Sequence, residues 1–332
     1  MRFYRIFFFP AFLFVISCVE KSKPLHITEI DELQSEKDVQ VFIRKTDSAY
    51  KNYEVKKIAD FTTKDIVFFE NKKLAAKLNV SESFYKTDFD NNGYTDLLIL
   101  GDNHTCFESA NQSCSYTPIA LMNFGNNNYK IVGLTQGFND IITPKIKKTN
   151  SKNLLQIYKP VVKDWEQRIF EKEPSVQILE FKFDEFIEYN SNDKNYIPIK
   201  NIEFSTSGCF GTCPVFQMKI DQNRNATFIA EHFNFTDDME NWSENIEGKF
   251  HTVIDQKNYN KLINTLQYID FPSLKENYSV NWTDDQSVKL KITYSDNKVK
   301  TIDDYGAIGT YGLKSVYDQL FKFRKNQKWI KY

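Results

Sequence analysis

The chain has 332 residues, with 43 lysines and arginines against 44 aspartates and glutamates, for a net charge of -1. No long block carries one sign, so the basic stripe that a nucleic-acid partner requires is missing and no nucleic-acid partner is expected. Aromatic residues make up 15%, with 29 Phe and 18 Tyr, which is core material for two folding units of about 100 to 200 residues each.

Residues 1–17, MRFYRIFFFPAFLFVIS, carry Arg2 and Arg5, run apolar from Ile6 to Ile16 and end on the small Ser17 directly before Cys18. The segment reads as a secretion signal, because its apolar run is about a dozen residues where a permanent span needs about 20. Val15-Ile16-Ser17-Cys18 resembles the lipobox of bacterial lipoproteins. That resemblance implies cleavage before Cys18, acylation of its thiol and anchorage in the bacterial cell envelope, at the outer membrane. Two or three acyl chains anchor stably where one binds marginally. Residues 18–35 then serve as a polar, lipidated tether. The competing reading is an ordinary signal peptide with an incidental cysteine. Setting Cys18 aside leaves Cys106, Cys114, Cys209 and Cys213. In an exported chain such an even set suggests disulfides, and the local pairing, 106 with 114 and 209 with 213, assumes nothing about tertiary contacts.

From Lys37 to Tyr53 apolar residues recur at Val39, Phe42, Ile43, Tyr50 and Tyr53, the spacing of one amphipathic helix. The runs DIVFFE, TDLLILG, TPIALMNF and NYKIVGL follow between Asn-, Gly- and Asp-rich turns and read as strands of a mostly antiparallel sheet. NLLQIY and VQILEFKF add further strands, up to about Tyr189. NSNDKN at 190–195 is polar throughout and reads as a linker. The expected division is a domain over 36–190 and a second over 196–332.

The second part predicts strands at Ile199 to Phe204, VFQMKID, ATFIAEHF and GKFHTVI. Asp255 is placed to cap a helix carrying Tyr259, Leu262, Ile263, Leu266 and Ile269 on one face. SVKLKITY and KVKTIDDY flank the turn at Ser295 to Lys298, and Leu313, Val316, Tyr317, Leu320 and Phe321 define a last helix. Strands, helix, hairpin and helix in that order predict helices on one face of an antiparallel sheet. The expected fold class is therefore α+β, with two domains, each a mostly antiparallel sheet with a few packed helices.

Asp88-Phe89-Asp90-Asn91-Asn92-Gly93-Tyr94-Thr95-Asp96 sets side-chain oxygens at Asp88, Asp90, Asn92 and Asp96, a glycine turn at Gly93 and a backbone carbonyl at Tyr94. Calcium takes six to eight hard oxygens, and such alternation wraps one ion. The twelfth position is Ile99 instead of a glutamate and the flanks read as strands, which excludes an EF-hand. TDFDNNGYTDLLILG resembles the calcium loops of FG-GAP and VCBS-type repeats. One copy does not make a propeller, which needs about four blades. The resemblance implies calcium as a brace of the turn. The competing reading is an Asx-rich turn in which Asp88 and Asn92 bond backbone amides without an ion.

Cys106 and Cys114 flank FESANQS and read as a stapled loop between strands. For Gly208-Cys209-Phe210-Gly211-Thr212-Cys213-Pro214 three readings compete. Gly208 and Gly211 permit the positive φ of a tight turn that closes a disulfide. The C-x3-C-P spacing is similar to that of thioredoxin-like copper-delivery proteins, whose cysteine loop opens onto a helix, whereas VFQMKID reads as strand. A metal site lacks two further ligands. Together with FPSL, the Asn277-Tyr278 stretch, Thr283 to Asp285 and KTIDDYG, the segment IEFSTSGCFGTCPVFQMKI resembles a domain of unknown function found at the C-terminus of envelope lipoproteins and small secreted proteins. The resemblance spans about 198–330 and implies no activity. It leads one to expect tyrosine at 216, where Phe216 stands.

No G-x-S-x-G elbow, H-E-x-x-H or G-x-x-x-x-G-K motif occurs, so the signatures of common hydrolases and phosphate binders are missing. Neighbouring carboxylates such as Asp237-Asp238, Asp284-Asp285 and Asp303-Asp304 point to opposite faces of a strand. The loop from Gly306 to Gly312 enters the last helix; its amides can bind an anion, or it is a flexible connection. Two function classes follow. One is a non-enzymatic, lipid-anchored envelope protein that binds an unknown envelope protein or ligand. The other is a thiol-disulfide oxidoreductase using Cys209 and Cys213.

Overall fold

The computed structural model describes residues 26–104, 115–137, 140–191, 196–235 and 245–332. Cys18, Cys106 and Cys114, and with them the acylation and first disulfide expectations, lie outside the described residues, as does most of the expected linker. The fold is mixed α+β, mostly antiparallel, with five α-helices among the described residues.

The N-terminal elements are α1 (Glu29–Glu32), α2 (Glu36–Thr46), β1 (Glu54–Val55), α3 (Ile66–Lys77), β2 (Phe84–Thr87), β3 (Asp96–Ile99), β4 (Gly101–Asp102), β5 (Ile119–Asn123) and β6 (Tyr129–Gly133). They continue through β7 (Thr143–Lys148), β8 (Asn153–Lys159), β9 (Val162–Asp164), β10 (Ile169–Phe170), β11 (Ser175–Lys182) and β12 (Glu185–Glu188). The one sheet expected here is instead two four-stranded sheets, ordered β2-β3-β5-β6 and β12-β11-β8-β7, with two ribbons, β1-β4 and β10-β9. β3 and β5 are buried along their whole length, because successive side chains serve opposite faces. Leu97, Ile99, Ile119 and Leu121 pack with Val39, Phe42 and Ile43 of α2. Leu98, Ala120 and Met122 face the other way, against Leu155, Ile157, Leu179 and Phe186 of the second sheet.

Two expectations, one helix and one strand, are corrected. The helix expected over Lys37 to Tyr53 stops at Thr46, and Asp47 turns the chain by accepting from the Ala49 amide at 2.9 Å. DIVFFE, expected as a strand, opens α3: Asp65 accepts from the amides of Val67 (2.8 Å) and Phe68 (3.1 Å). An N-cap followed by helix-favouring ENKKLAAK outweighs a four-residue apolar run.

The C-terminal elements are β13 (Ile199–Thr206), β14 (Val215–Asp221), β15 (Asn225–His232), β16 (Gly248–Val253), α4 (Gln256–Tyr268), β17 (Asn277–Ser279), β18 (Ser287–Tyr294), β19 (Lys298–Tyr305), α5 (Tyr311–Asn326) and β20 (Ile330–Lys331). Eight of these form one sheet, ordered β17-β19-β18-β13-β14-β15-β16-β20, with only the β17–β19 pair parallel. Alternation fixes its faces. Phe204, Phe216, Met218, Phe228 and Leu290 meet Leu262 and Leu266 of α4 and Leu313, Val316 and Leu320 of α5. Each such buried side chain contributes about 1.5–3 kcal/mol. Asp255 caps α4 by accepting from the Asn258 amide at 3.0 Å, as its position in the sequence predicts.

Phe216, where the family pattern suggests tyrosine, is fully buried and packs edge-on against Phe228 and Phe321. The Arg324 guanidinium lies 5.1 Å from its ring centroid.

Candidate functional site

Three places gather chemistry: the aspartate turn, the cysteine turn and the junction of the N- and C-terminal parts.

The aspartate turn joins β2 to β3, so strands flank it as its sequence suggests. It brings together one carboxylate oxygen each from Asp88, Asp90 and Asp96, all within 4.8 Å of one another. Asp88 accepts from the Asn92 amide (3.2 Å) and the Gly93 amide (2.9 Å). Asp96 is fully buried and accepts from the Phe89 and Asn123 amides, each at 2.7 Å. Burial, reinforced by the Asp88 charge, pushes the Asp90 carboxyl up to about 6. Burial, with Asp90 and Asp88 nearby, pushes Asp96 up to about 8 against the pull of its two amides. Asn92 does not join the oxygens. Its Nδ2 donates to Asp90 Oδ2 (3.0 Å), and its Oδ1 accepts from the Tyr94 amide (2.8 Å). The Tyr94 ring stacks on His26, whose amide donates to the Gly93 carbonyl. The turn therefore clasps His26, which falls within the stretch expected as the tether. The set of three clustered hard oxygens fits a divalent cation, and the amide bonds of Asp88 and Asn92 also fit the ion-free turn.

Cys209 and Cys213 are joined by a disulfide with α-carbons 5.7 Å apart. The bond closes the turn between β13 and β14, and a strand follows Pro214 directly. Of the two glycines, only Gly211 takes a positive φ, +148°. Side chains hold the base of the turn independently of the sulfurs. Thr206 Oγ1 donates to the Pro214 carbonyl (2.7 Å), and the buried Gln286 donates from Nε2 to the carbonyls of Ser207 and Pro214, both at 2.8 Å. Phe210 projects at the tip, 89% exposed, with its amide donating to the Asp284 carbonyl at 3.1 Å.

At the junction, Glu188 at the end of β12 reaches the start of α5. Its Oε1 accepts from the Tyr311 amide (2.7 Å) and its Oε2 from the Gly312 amide (2.8 Å). The anion that sequence reasoning allowed at this helix N-terminus is thus a side chain of the N-terminal part, and the Gly306 to Gly312 loop is a packed joint. The Tyr311 ring enters the N-terminal core, and its hydroxyl donates to the Leu134 carbonyl at 2.8 Å. Lys261 pairs with Asp184 at 2.7 Å, and Lys182 lies 4.6 Å from the Tyr268 ring centroid.

Beside this joint lies an open cleft of about 940 Å³ walled by both parts. Trp282 stands on the C-terminal wall, its Nε1 donating to Asp285 Oδ2 at 2.8 Å. A Cβ on Gly137 would come within 3.1 Å of the Trp282 ring and 2.7 Å of Ile308, so glycine lets the two parts close up here. Lys159 pairs with Asp140 at 2.7 Å, and the other Asp140 oxygen accepts from the Gln136 amide at 2.9 Å.

Two further groups escape local sequence reasoning. β1 pairs with β4 so that Glu54 faces Asp102, and His104 Nε2 lies 3.1 Å from Glu54 Oε2. Asp304 is buried beneath the Gly306 to Gly309 loop facing Tyr317, without a hydrogen bond of normal geometry to its carboxylate among the described residues. Its neighbour Asp303 pairs with Lys289 at 2.9 Å on the exposed face, the alternation expected for adjacent carboxylates.

No curated protein and no solved structure matches the chain. Residues 200–324, from β13 to the body of α5, match the family described as a domain of unknown function, DUF6438. The C-terminal region of the chain, including the cysteine turn, the Gln286 clasp and the Asp304 site, contains that domain.

Proposed function

We propose that the chain is a non-enzymatic binding module of the bacterial cell envelope, held at the outer membrane by acyl chains on Cys18. In this reading the Cys209–Cys213 bond is a staple, Cys106 and Cys114 form a second one, and Asp88, Asp90 and Asp96 hold a calcium ion that braces the turn beside the tether, with Tyr94 offering its carbonyl. The observation that carries the reading is the setting of the cysteine turn. It lies in a β-hairpin whose base is clasped by Thr206 and Gln286, whereas a redox thiolate is lowered in pKa by a helix N-terminus or a neighbouring cation. The exposure of Phe210 beside the bond favours the second reading, a thiol-disulfide oxidoreductase that docks a partner there. Incubation with a reduced, unfolded disulfide protein separates them. The module leaves substrate thiols unchanged over hours; oxidation that disappears in Cys209→Ser assigns the oxidoreductase.

A further inference from the structure

We propose that the cleft between the N- and C-terminal parts binds an acidic saccharide. Its walls combine the two chemistries that such a ligand needs. Trp165, in the turn of the β9–β10 ribbon, is 59% exposed, and Trp282 is held in place across the joint by Asp285 and Gly137. Indole surfaces left open to water are costly to keep uncovered, and the C–H face of a sugar ring covers such a surface while its hydroxyls stay wet.

The charge at the cleft selects an anion. Lys64, Lys159 and Arg168 line it against Asp65 and Asp140. Lys159 and Asp140 answer each other in an ion pair of 2.7 Å, and Asp65 accepts from the amides at the start of α3, so Lys64 and Arg168 against Asp65 leave one positive charge in excess. Arg168 stands three residues from Trp165, exposed on the same turn. One aromatic platform and one guanidinium are thus carried on a single arm and line the same cleft as Trp282. Gln136 also lines the cleft. A carboxylate or phosphate on a sugar meets the guanidinium by charge-assisted hydrogen bonds.

Placing a saccharide here rests on the binding-module reading, yet its failure leaves the staple and the anchor untouched, because those are read from sulfur chemistry and acylation. The test is isothermal titration calorimetry of the purified full chain with a glucuronate-containing tetrasaccharide, a neutral N-acetylglucosamine tetramer, inorganic phosphate and ATP. The glucuronate tetrasaccharide is expected to bind saturably, about tenfold tighter than the neutral tetramer, and to lose about tenfold in affinity in Trp165→Ala. Arg168→Gln is expected to reduce binding about fivefold and to lessen its salt dependence. Both side chains are exposed, so the variants keep the wild-type circular dichroism. Absence of saturable binding, unchanged affinity in Trp165→Ala, or tighter binding of phosphate or ATP than of the tetrasaccharide overturns the proposal.

Discussion

The β2–β3 turn and the β13–β14 turn solve one problem in two ways. Each is a glycine-containing reversal at the end of a hairpin, and each needs something to hold it. At Cys209–Cys213 a covalent bond and neutral hydrogen bonds from Thr206 and Gln286 do so. At Asp88 to Asp96 three carboxylates converge and amides answer only part of their charge. The first brace is indifferent to pH and cations and sensitive to thiols, and the second has the opposite sensitivities.

The largest expected effect lies where the two parts of the molecule meet. Tyr311→Ala withdraws a buried ring from the N-terminal core and leaves the Leu134 carbonyl without its partner. It should cost about 3–5 kcal/mol, read as a lower urea midpoint, and a loss below about 1 kcal/mol would mean that Tyr311 does not join the two parts.

The aspartate turn comes next. Asp90 and Asp96 titrate above the ordinary carboxylate range in the fold. Between about pH 4 and 8 the folded chain therefore holds protons that the unfolded chain has released, and stability without a cation falls as pH rises through this window. Calcium at about 100-fold over its dissociation constant should add about 2.7 kcal/mol and flatten that fall, with magnesium weaker because it demands a near-octahedral site. Thermal scans at pH 5 and pH 8, with calcium or chelator, check both statements, and Asp90→Asn should abolish the calcium response.

Opening the disulfide is a smaller perturbation. The closed loop is short, so the chain-entropy contribution is about 2 kcal/mol, and the clasp at its base remains. Cys209→Ser with Cys213→Ser should fold, melt a few degrees lower and show the same loss at pH 5 and pH 8. Smaller again is Glu188→Gln, which keeps a hydrogen-bond acceptor at the start of α5 but removes its charge; about 1 kcal/mol of stability is expected to go, with a matching loss of amide protection at Tyr311 and Gly312.

What the sequence revealed follows the same division between local and non-local. Six of the eight strands of the C-terminal sheet were legible because alternating residues bury one face, as in VFQMKID, where Phe216, Met218 and Ile220 point inward; the short β17 and β20 carry no such alternation. DIVFFE misled because a four-residue apolar run fits a strand or the start of a helix, and only the Asp65 cap and the residues after Glu70 decide. The aspartate and cysteine turns were legible from spacing alone. Glu188 at the α5 N-terminus was not, since 123 residues separate it from Tyr311. Nor was the Glu54, Asp102 and His104 group, which the pairing of β1 with β4 assembles. No local pattern encodes either one. The cleft is hidden for the same reason, with Trp165 and Trp282 on opposite walls.

The reduction potential of the Cys209–Cys213 bond in the purified chain tests the proposed role of the C-terminal turn most directly. A staple in an exported protein predicts a value below about -300 mV, out of reach of a glutathione pool. A value between about -120 and -270 mV, the span of thiol-disulfide oxidoreductases, would contradict it.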